Sequence, residues 1–372
     1  MSSGEAMTTT LDRIDEIEWE RPPLVERRGD AALEAWARAE GLPSGAVTRF
    51  SGSPWVARAC ARLVRKDLRD LDWQVTDLAV VVVSRDNACR NCYAASRVFL
   101  RIAGLDNAEI DRLEGGLLLA DEDAALGLAL DFARRVSRAN PPPSSADVKA
   151  LREAGYSEAE LKELAFIAAS YVMINRLSTF VALPPEGYER AGRTRLLALV
   201  RPFVRARVLR SYHRRCGEVR LDAEEKEGPY AEIVCAFDGL PAGRKLRAIL
   251  NEAFAPTSIP QRTKALVFAV VARALGCPRS EGEAFRLLDA EGIPPAQGEL
   301  ILAHLGSPAL QPLETAILPF VRETVWYQPA PIQRRARELK AGLDEEQFLE
   351  LVGLCALANA VCRLYLVLGQ LA

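Results

Sequence analysis

An all-α protein made of two tandem copies of one helical unit is the fold this sequence predicts, on three observations. Apolar residues recur at spacings of three and four over many turns. The one strand-like run, VTDLAVVVVSR, has no second such run to pair with, so it is read as helix despite its β-branched residues. The chain also matches itself: Cys89 to Cys277 is a shift of 188 residues, and the same shift aligns Leu78 with Leu266, Arg85 with Arg273, Gly104 with Gly292, Phe132 with Phe320, Arg134 with Arg322 and Pro141 with Pro329. After one deletion a shift of 187 pairs Gly155 with Gly342, Glu163 with Glu350, Arg176 with Arg363 and Leu177 with Leu364.

Taken in order, residues 1–20 are expected to form a flexible start, disordered to about Thr10, and MSSGEAMTTTLDRIDEIEWE lacks the basic start and apolar run of a signal peptide. Residues 21–188 make the first copy, with helices over AALEAWARAEGLP, VTDLAVVVVSR, DAALGLALDFARRVSR and SEAELKELAFIAASYVMINRLSTFVAL. Ser or Asp opens these segments and Gly or Pro closes them. Residues 189–228 form a linker whose stretch from Arg190 to Arg220 holds ten Arg and one acidic residue. A nucleic-acid or anionic-membrane face is the sharper reading of that run. Leu, Val and Pro202 interrupt it and no nucleic-acid motif accompanies it, so an amphipathic linker paired with LDAEEKE or other acidic faces is preferred. Residues 229–372 make the second copy and end in DEEQFLELVGLCALANAVCRLYLVLGQ.

At 372 residues the chain exceeds the ~250–300 at which single cores stop growing, in keeping with two units. Charge is balanced at −2, giving no global attraction to nucleic acid. No uncharged apolar run approaches the ~20 residues of a membrane helix, because LAVVVVS is closed by Arg85 and Asp86. The eight cysteines are scattered through a large chain rather than packed into a small secreted scaffold, so free thiols in a reducing cytoplasm are expected. Histidine chemistry is scarce, with His213 and His304 alone.

The chemically distinctive stretch is RDNACRNCYAASR, with Cys89 and Cys92 three apart. Asp86 and Asn87 are good caps, so a helix is expected to start there with Cys89 in its first turn. Residues three apart share a helix face, and the positive helix end favours a thiolate. A redox dithiol, two structural thiols and half of a metal site all fit this spacing. Zinc needs about two more ligands, and no second Cys-x-x-Cys or Cys/His pair supplies them.

TDLAVVVVSRDNACRNCYAASRVFLRIAGL resembles the core of the alkyl hydroperoxidase D and carboxymuconolactone decarboxylase family, whose pattern is Glu, eleven residues, Cys-x-x-Cys, three residues, His. SPWVARACARLVRKDLRDLDWQVTD is similar to the helix before that motif, and the run Asn175, Arg176, Leu177 to the family's closing helix. The likeness covers about residues 45–185 and, more weakly, 229–372. It implies the family's helical fold, assembly of copies into oligomers, and a redox pair at Cys89 and Cys92 served by a proton relay. The relay positions fall on Asp77, in place of Glu, and on Ser96, in place of His. Asn91 stands where the family often has an aromatic residue or His. Asp77 keeps a carboxylate one methylene shorter, whereas Ser96 cannot hold a proton near neutral pH. Arg85, Arg90 and Arg97 are placed to stabilise a thiolate, and His304 could approach only through folding.

In the second copy Cys92 faces Ser280, Ser96 faces Ala284 and Asp77 faces Ala265, leaving Cys277 without its neighbour. Cys355 and Cys362 share a face of the last helix and read as core, so this copy is expected to be structural. The expected function is a thiol-dependent oxidoreductase that reduces a peroxide or related oxidised substrate, with either cysteine as the attacking group. It uses no bound cofactor or metal and is recycled by an external thiol, dithiol or redox protein. Its partners are then a small-molecule substrate, that reductant and further copies of the chain, without membrane or nucleic acid. Two alternatives stay open: a non-redox enzyme of the decarboxylase type with Asp77 as acid or base, and a non-catalytic scaffold with a decayed site.

Overall fold

The computed structural model describes residues 14–115, 124–194 and 196–371. The expected disorder to about Thr10 lies outside these residues. Within the segment expected to be flexible, Ile17 and Trp19 are buried, and Trp19 Nε1 donates to the Leu183 carbonyl at 2.9 Å.

The fold is all-α: beside loops and short 3-10 turns, the described residues hold helices and two three-residue strands. The chain begins with α1 (Ala31–Ala39), α2 (Ser44–Val47), α3 (Pro54–Val64), α4 (Trp73–Asp86), α5 (Arg90–Ala103), α6 (Asn107–Gly115), α7 (Ala124–Arg138), α8 (Ser145–Glu153) and α9 (Glu158–Phe180). The connection carries α10 (Glu186–Arg193) and α11 (Leu196–Tyr212). Then come α12 (Ala231–Cys235), α13 (Pro241–Ala253), α14 (Gln261–Leu275), α15 (Pro278–Ala290), α16 (Pro295–His304), α17 (Pro312–Glu323), α18 (Pro329–Lys340) and α19 (Glu345–Leu371).

The valine-rich run is helix α4, capped by Asp72, whose carboxylate accepts from the Gln74 amide at 2.7 Å. It is buried without a break from Thr76 to Ser84, so packing on all sides overrides the weak helix preference of valine. Helices α9 and α19 are buried just as continuously, from Glu163 to Phe180 and from Phe348 to Tyr365, and pack against each other at the centre. Helix α19 is long and apolar enough to cross a membrane, which the search for uncharged runs did not anticipate because Arg363 interrupts it; 94% of its apolar window is buried inside the protein.

Helix starts repeat along the chain. Those at Trp73, Arg90 and Asn107 recur 188 residues later at Gln261, Pro278 and Pro295, and Glu158 recurs 187 later at Glu345. The buried Glu163 carboxylate accepts from the backbone amides of Arg69, Asp70 (2.9 Å) and Leu71 (2.7 Å) in the loop before α4. Glu350 does the same before α14, accepting from the Ile259 amide at 3.0 Å and from the Ser258 hydroxyl. The arginines cross over: Arg176 donates to the Val325 carbonyl at 2.9 Å, and Arg363 to the Ser137 carbonyl at 2.8 Å. Each closing helix thus satisfies backbone acceptors in the other half, as buried guanidinium groups require.

Beyond the helices, β1 (Lys66–Leu68) and β2 (His213–Arg215) pair in parallel, with Lys66 opposite His213. This pair pins the end of the Arg-rich connection onto the first half. The arginines of that connection were expected to pair with LDAEEKE or with other acidic faces; Glu225 of that run pairs instead with Arg244 at 2.9 Å, and Arg201 donates to the Gly104 carbonyl at 3.0 Å.

Candidate functional site

Helix α4 ends at Asp86, two residues short of Cys89. Asn87 is its C-cap, and Ala88 takes a left-handed conformation (φ 51°). The Cys89 amide donates back to the Ser84 carbonyl at 3.0 Å, closing a six-residue turn of the Schellman type. Cys89 is therefore the N-cap of α5, not a first-turn residue of a helix begun at Asp86. Its Sγ accepts from the Cys92 amide at 3.3 Å. Asp86 and Asn87 serve α4 and its neighbours instead: Asp86 accepts from Arg138 at 2.7 Å, and Asn87 donates to Ser137 at 2.6 Å and accepts from Arg176 at 2.8 Å.

Both cysteines are buried free thiols. Burial, then contact with Cys92, pushes the Cys89 thiol well above its ordinary range, and the capping amide lowers it by less. Position at a helix end had predicted a ready thiolate, and desolvation overturns that expectation. Cys92 faces the Ile174 carbonyl at 4.0 Å. Two of the arginines expected to support a thiolate pair elsewhere, Arg90 with Glu189 at 2.9 Å and Arg97 with Asp111 at 2.7 Å.

Asp77, on α4, lies 5% exposed and accepts from Lys66 Nζ and, at 3.0 Å, from His213 Nε2. Burial pushes this carboxyl up, but the Lys66 ammonium and then His213 more than reverse it and hold it below the usual carboxylate range. An ionised carboxylate only accepts, so Nε2 is the donor in this bond. The imidazole stacks on Trp73 with centroids 4.3 Å apart and meets the edge of Phe99 at 5.3 Å. Lys66 Nζ lies 4.7 Å from the Phe99 centroid and 5.8 Å from that of Tyr171. Pairing of β1 with β2 brings this array together, because it sets Lys66 directly beside His213.

Tyr171, on α9, joins the array to the thiols. Burial first, then the charges of Asp77, Cys92 and Cys60, raises its pKa, so it is a neutral phenol among all three. Cys60, on α3, is a third buried thiol, pushed up by desolvation and by Cys92. The structure thus gathers Asp77, Cys92 and Cys60 around one phenol, with Cys89 next to Cys92. Ser96 is half-buried one turn beyond Cys92, and among the described residues no hydrogen bond joins it to Asp77 or either thiol.

Sequence reasoning missed Lys66, Tyr171 and His213. Of the two histidines it weighed His304, which stands exposed at the end of α16. The available signal was the rarity of histidine together with SYHRR at the end of the connection, but a three-residue parallel pairing leaves no local pattern. Among the described residues no group of three or more His, Cys, Asp or Glu side chains could hold a metal ion. Compared with protein-family models, with curated proteins and with solved structures, the chain matches none.

Proposed function

We propose that this chain is a thiol-dependent oxidoreductase in which Cys89 and Cys92 cycle between dithiol and disulfide while His213 moves the protons. The observation that carries this reading is the Lys66, Asp77 and His213 array, whose lysine and carboxylate lie beside the phenol that also borders Cys92. Cys92 borders that phenol while Cys89 caps the helix behind it, so Cys92 is assigned as the attacking sulfur and Cys89 as the resolving one. His213 is the base that takes up the Cys92 proton, with Asp77 stabilising the imidazolium. The thiolate attacks the terminal oxygen of a hydroperoxide, the S–O bond forms as O–O breaks, and the alkoxide leaves as alcohol with that proton. Cys89 then attacks the sulfenic sulfur, water departs, and an external dithiol or redox protein returns two electrons to the disulfide.

The fold reading belongs with this function. The constant shift of helix starts, the paired roles of Glu163 and Glu350 and the exchanged Arg176 and Arg363 bonds support a tandem duplication of a unit similar to the alkyl hydroperoxidase D fold. The first copy is then 21–188 and the second 229–372, joined by 189–228. Free thiols at all eight cysteines agree with a cytoplasmic location.

Cleavage at Arg90 separates Cys89 from Cys92, so peptide mapping after treatment with hydrogen peroxide reads their disulfide directly. A linked pair is expected, formed more slowly in His213→Asn and at the native rate in Ser96→Ala. Absence of the linked peptides at full oxidation refutes the redox reading. The deep burial of Cys89 then favours the scaffold alternative.

A further inference from the structure

The second half holds its own pair of neighbouring thiols. Cys277 stands at the N-cap position of α15 as Cys89 does at that of α5: Gly276 before it is left-handed (φ 62°), and the Cys277 amide donates to the Ala272 carbonyl at 2.9 Å. Ser280 takes the place of Cys92, 188 residues on, which removes the local partner. A partner arrives from α19. The Cys277 thiol lies 3.6 Å from the Cys362 carbonyl and beside the Cys362 thiol, whose sulfur is 3.2 Å from Ser280 Oγ. Cys362 had been read as core; it is buried, yet its sulfur faces a second sulfur.

Three features distinguish this pair from ordinary core thiols. The hydrogen bond from Cys362, against burial and with help from the Ser280 amide, lowers the Cys277 pKa, while burial and Cys277 raise that of Cys362. One thiol is therefore poised to attack and the other to stay protonated until needed. The fully buried Tyr230 hydroxyl lies beside Cys362 and Ser280. A cavity of about 450 Å³ opens at the N-terminal turn of α15, lined among others by Tyr230, Pro278, Arg279, Gly282, Arg286 and Tyr365. Arg279 and Arg286 are both neutralised, by Glu232 at 3.3 Å and Glu283 at 2.7 Å. The aromatic walls and absence of an uncompensated charge in those two pairs suit a small neutral organic molecule.

We propose that Cys277 and Cys362 are a second redox pair, serving an organic hydroperoxide that enters this cavity. The Cys277 thiolate attacks the terminal peroxide oxygen; the S–O bond forms, O–O breaks, and the alkoxide leaves as alcohol with the proton Cys277 released. The Cys362 sulfur attacks the sulfenic sulfur, its proton leaves with the hydroxyl as water, and a Cys277–Cys362 disulfide remains for a small dithiol to reduce. Two thiols supply the two electrons that turn the hydroperoxide into alcohol and water.

The test uses cumene hydroperoxide on the full chain and on Cys89→Ser/Cys92→Ser, in which the proposed first pair is silent. Peptide mapping is expected to find Cys277 joined to Cys362 in both, so failure of either site is read separately. Cys277→Ser abolishes the link, and Cys362→Ser leaves a sulfenic acid at Cys277 that dimedone traps. A side chain added at Gly282 meets open space, so Gly282→Leu fills the cavity without touching the thiols and slows oxidation by cumene hydroperoxide about tenfold, with hydrogen peroxide little affected. No Cys277–Cys362 peptide in the full chain, or equal slowing of both peroxides by Gly282→Leu, overturns the proposal.

Discussion

Cys89 and Cys277 occupy the same turn in the two halves, each the N-cap of a helix after a left-handed residue, and their thiols are driven in opposite directions. In the first half the neighbouring thiol sits one turn along the same helix and desolvation dominates. In the second it arrives from α19 and its hydrogen bond outweighs burial. The helix end, common to both, decides neither. What differs is whether the neighbouring thiol donates to the sulfur and how deeply the sulfur is enclosed.

The halves differ as sharply in charge. Lys66 and Asp77 have Phe254 and Ala265 at the shift of 188, so an ion pair in one half faces apolar residues in the other. Breaking that contrast gives the largest expected effect. Lys66→Met leaves a buried carboxylate short of its main cation and destabilises the protein by about 3–5 kcal/mol in urea unfolding, whereas Lys66→Met/Asp77→Ala recovers much of the loss. The Asp77 pKa is depressed in the folded state, so the unfolded chain binds more protons as pH falls. Its stabilisation is present above about 3.9 and is lost as pH drops through the lower folded value. Asp77→Asn flattens the acid limb of a stability–pH curve, and an unchanged limb contradicts the assignment.

Next in size is the kinetic contrast. His213→Asn is expected to slow formation of the Cys89–Cys92 disulfide by about 10²-fold, with no effect on the Cys277–Cys362 pair, which has no histidine among its contacts. Alkylation by iodoacetamide should label Cys277 about tenfold faster than Cys89, read by mass spectrometry at a series of times; the reverse order would invert the comparison. The smallest effect lies in the turns themselves. Gly276→Ala meets no neighbour within 4 Å and costs about 1 kcal/mol of left-handed strain. Ala88→Gly gains less, because the unfolded chain gains freedom too.

The helices were legible because their apolar spacing is local, and so was the recurrence that aligns Arg176 with Arg363. The break at Asn87 and Ala88 was not, because alanine gives no warning of a left-handed turn where Gly276 does. The dithiol and Asp77 could be placed from sequence, but the groups around them come from afar. His213 reaches Asp77 across 136 residues through a strand pairing too short to leave a pattern, and Cys362 reaches Ser280 across 82. Both contacts are made by packing, which a one-dimensional reading of spacing does not contain.

The two thiol pairs also differ in how much chain each disulfide encloses. A bond between Cys89 and Cys92 fixes one turn already formed and leaves the unfolded ensemble almost as free as before. A bond between Cys277 and Cys362 closes a loop containing α15 through most of α19. Chain-entropy arguments give such a loop about 4–5 kcal/mol of stabilisation. Oxidation of the second pair is therefore expected to register as a rise in melting temperature, so the thermal stability of the whole chain reports the redox state of one half.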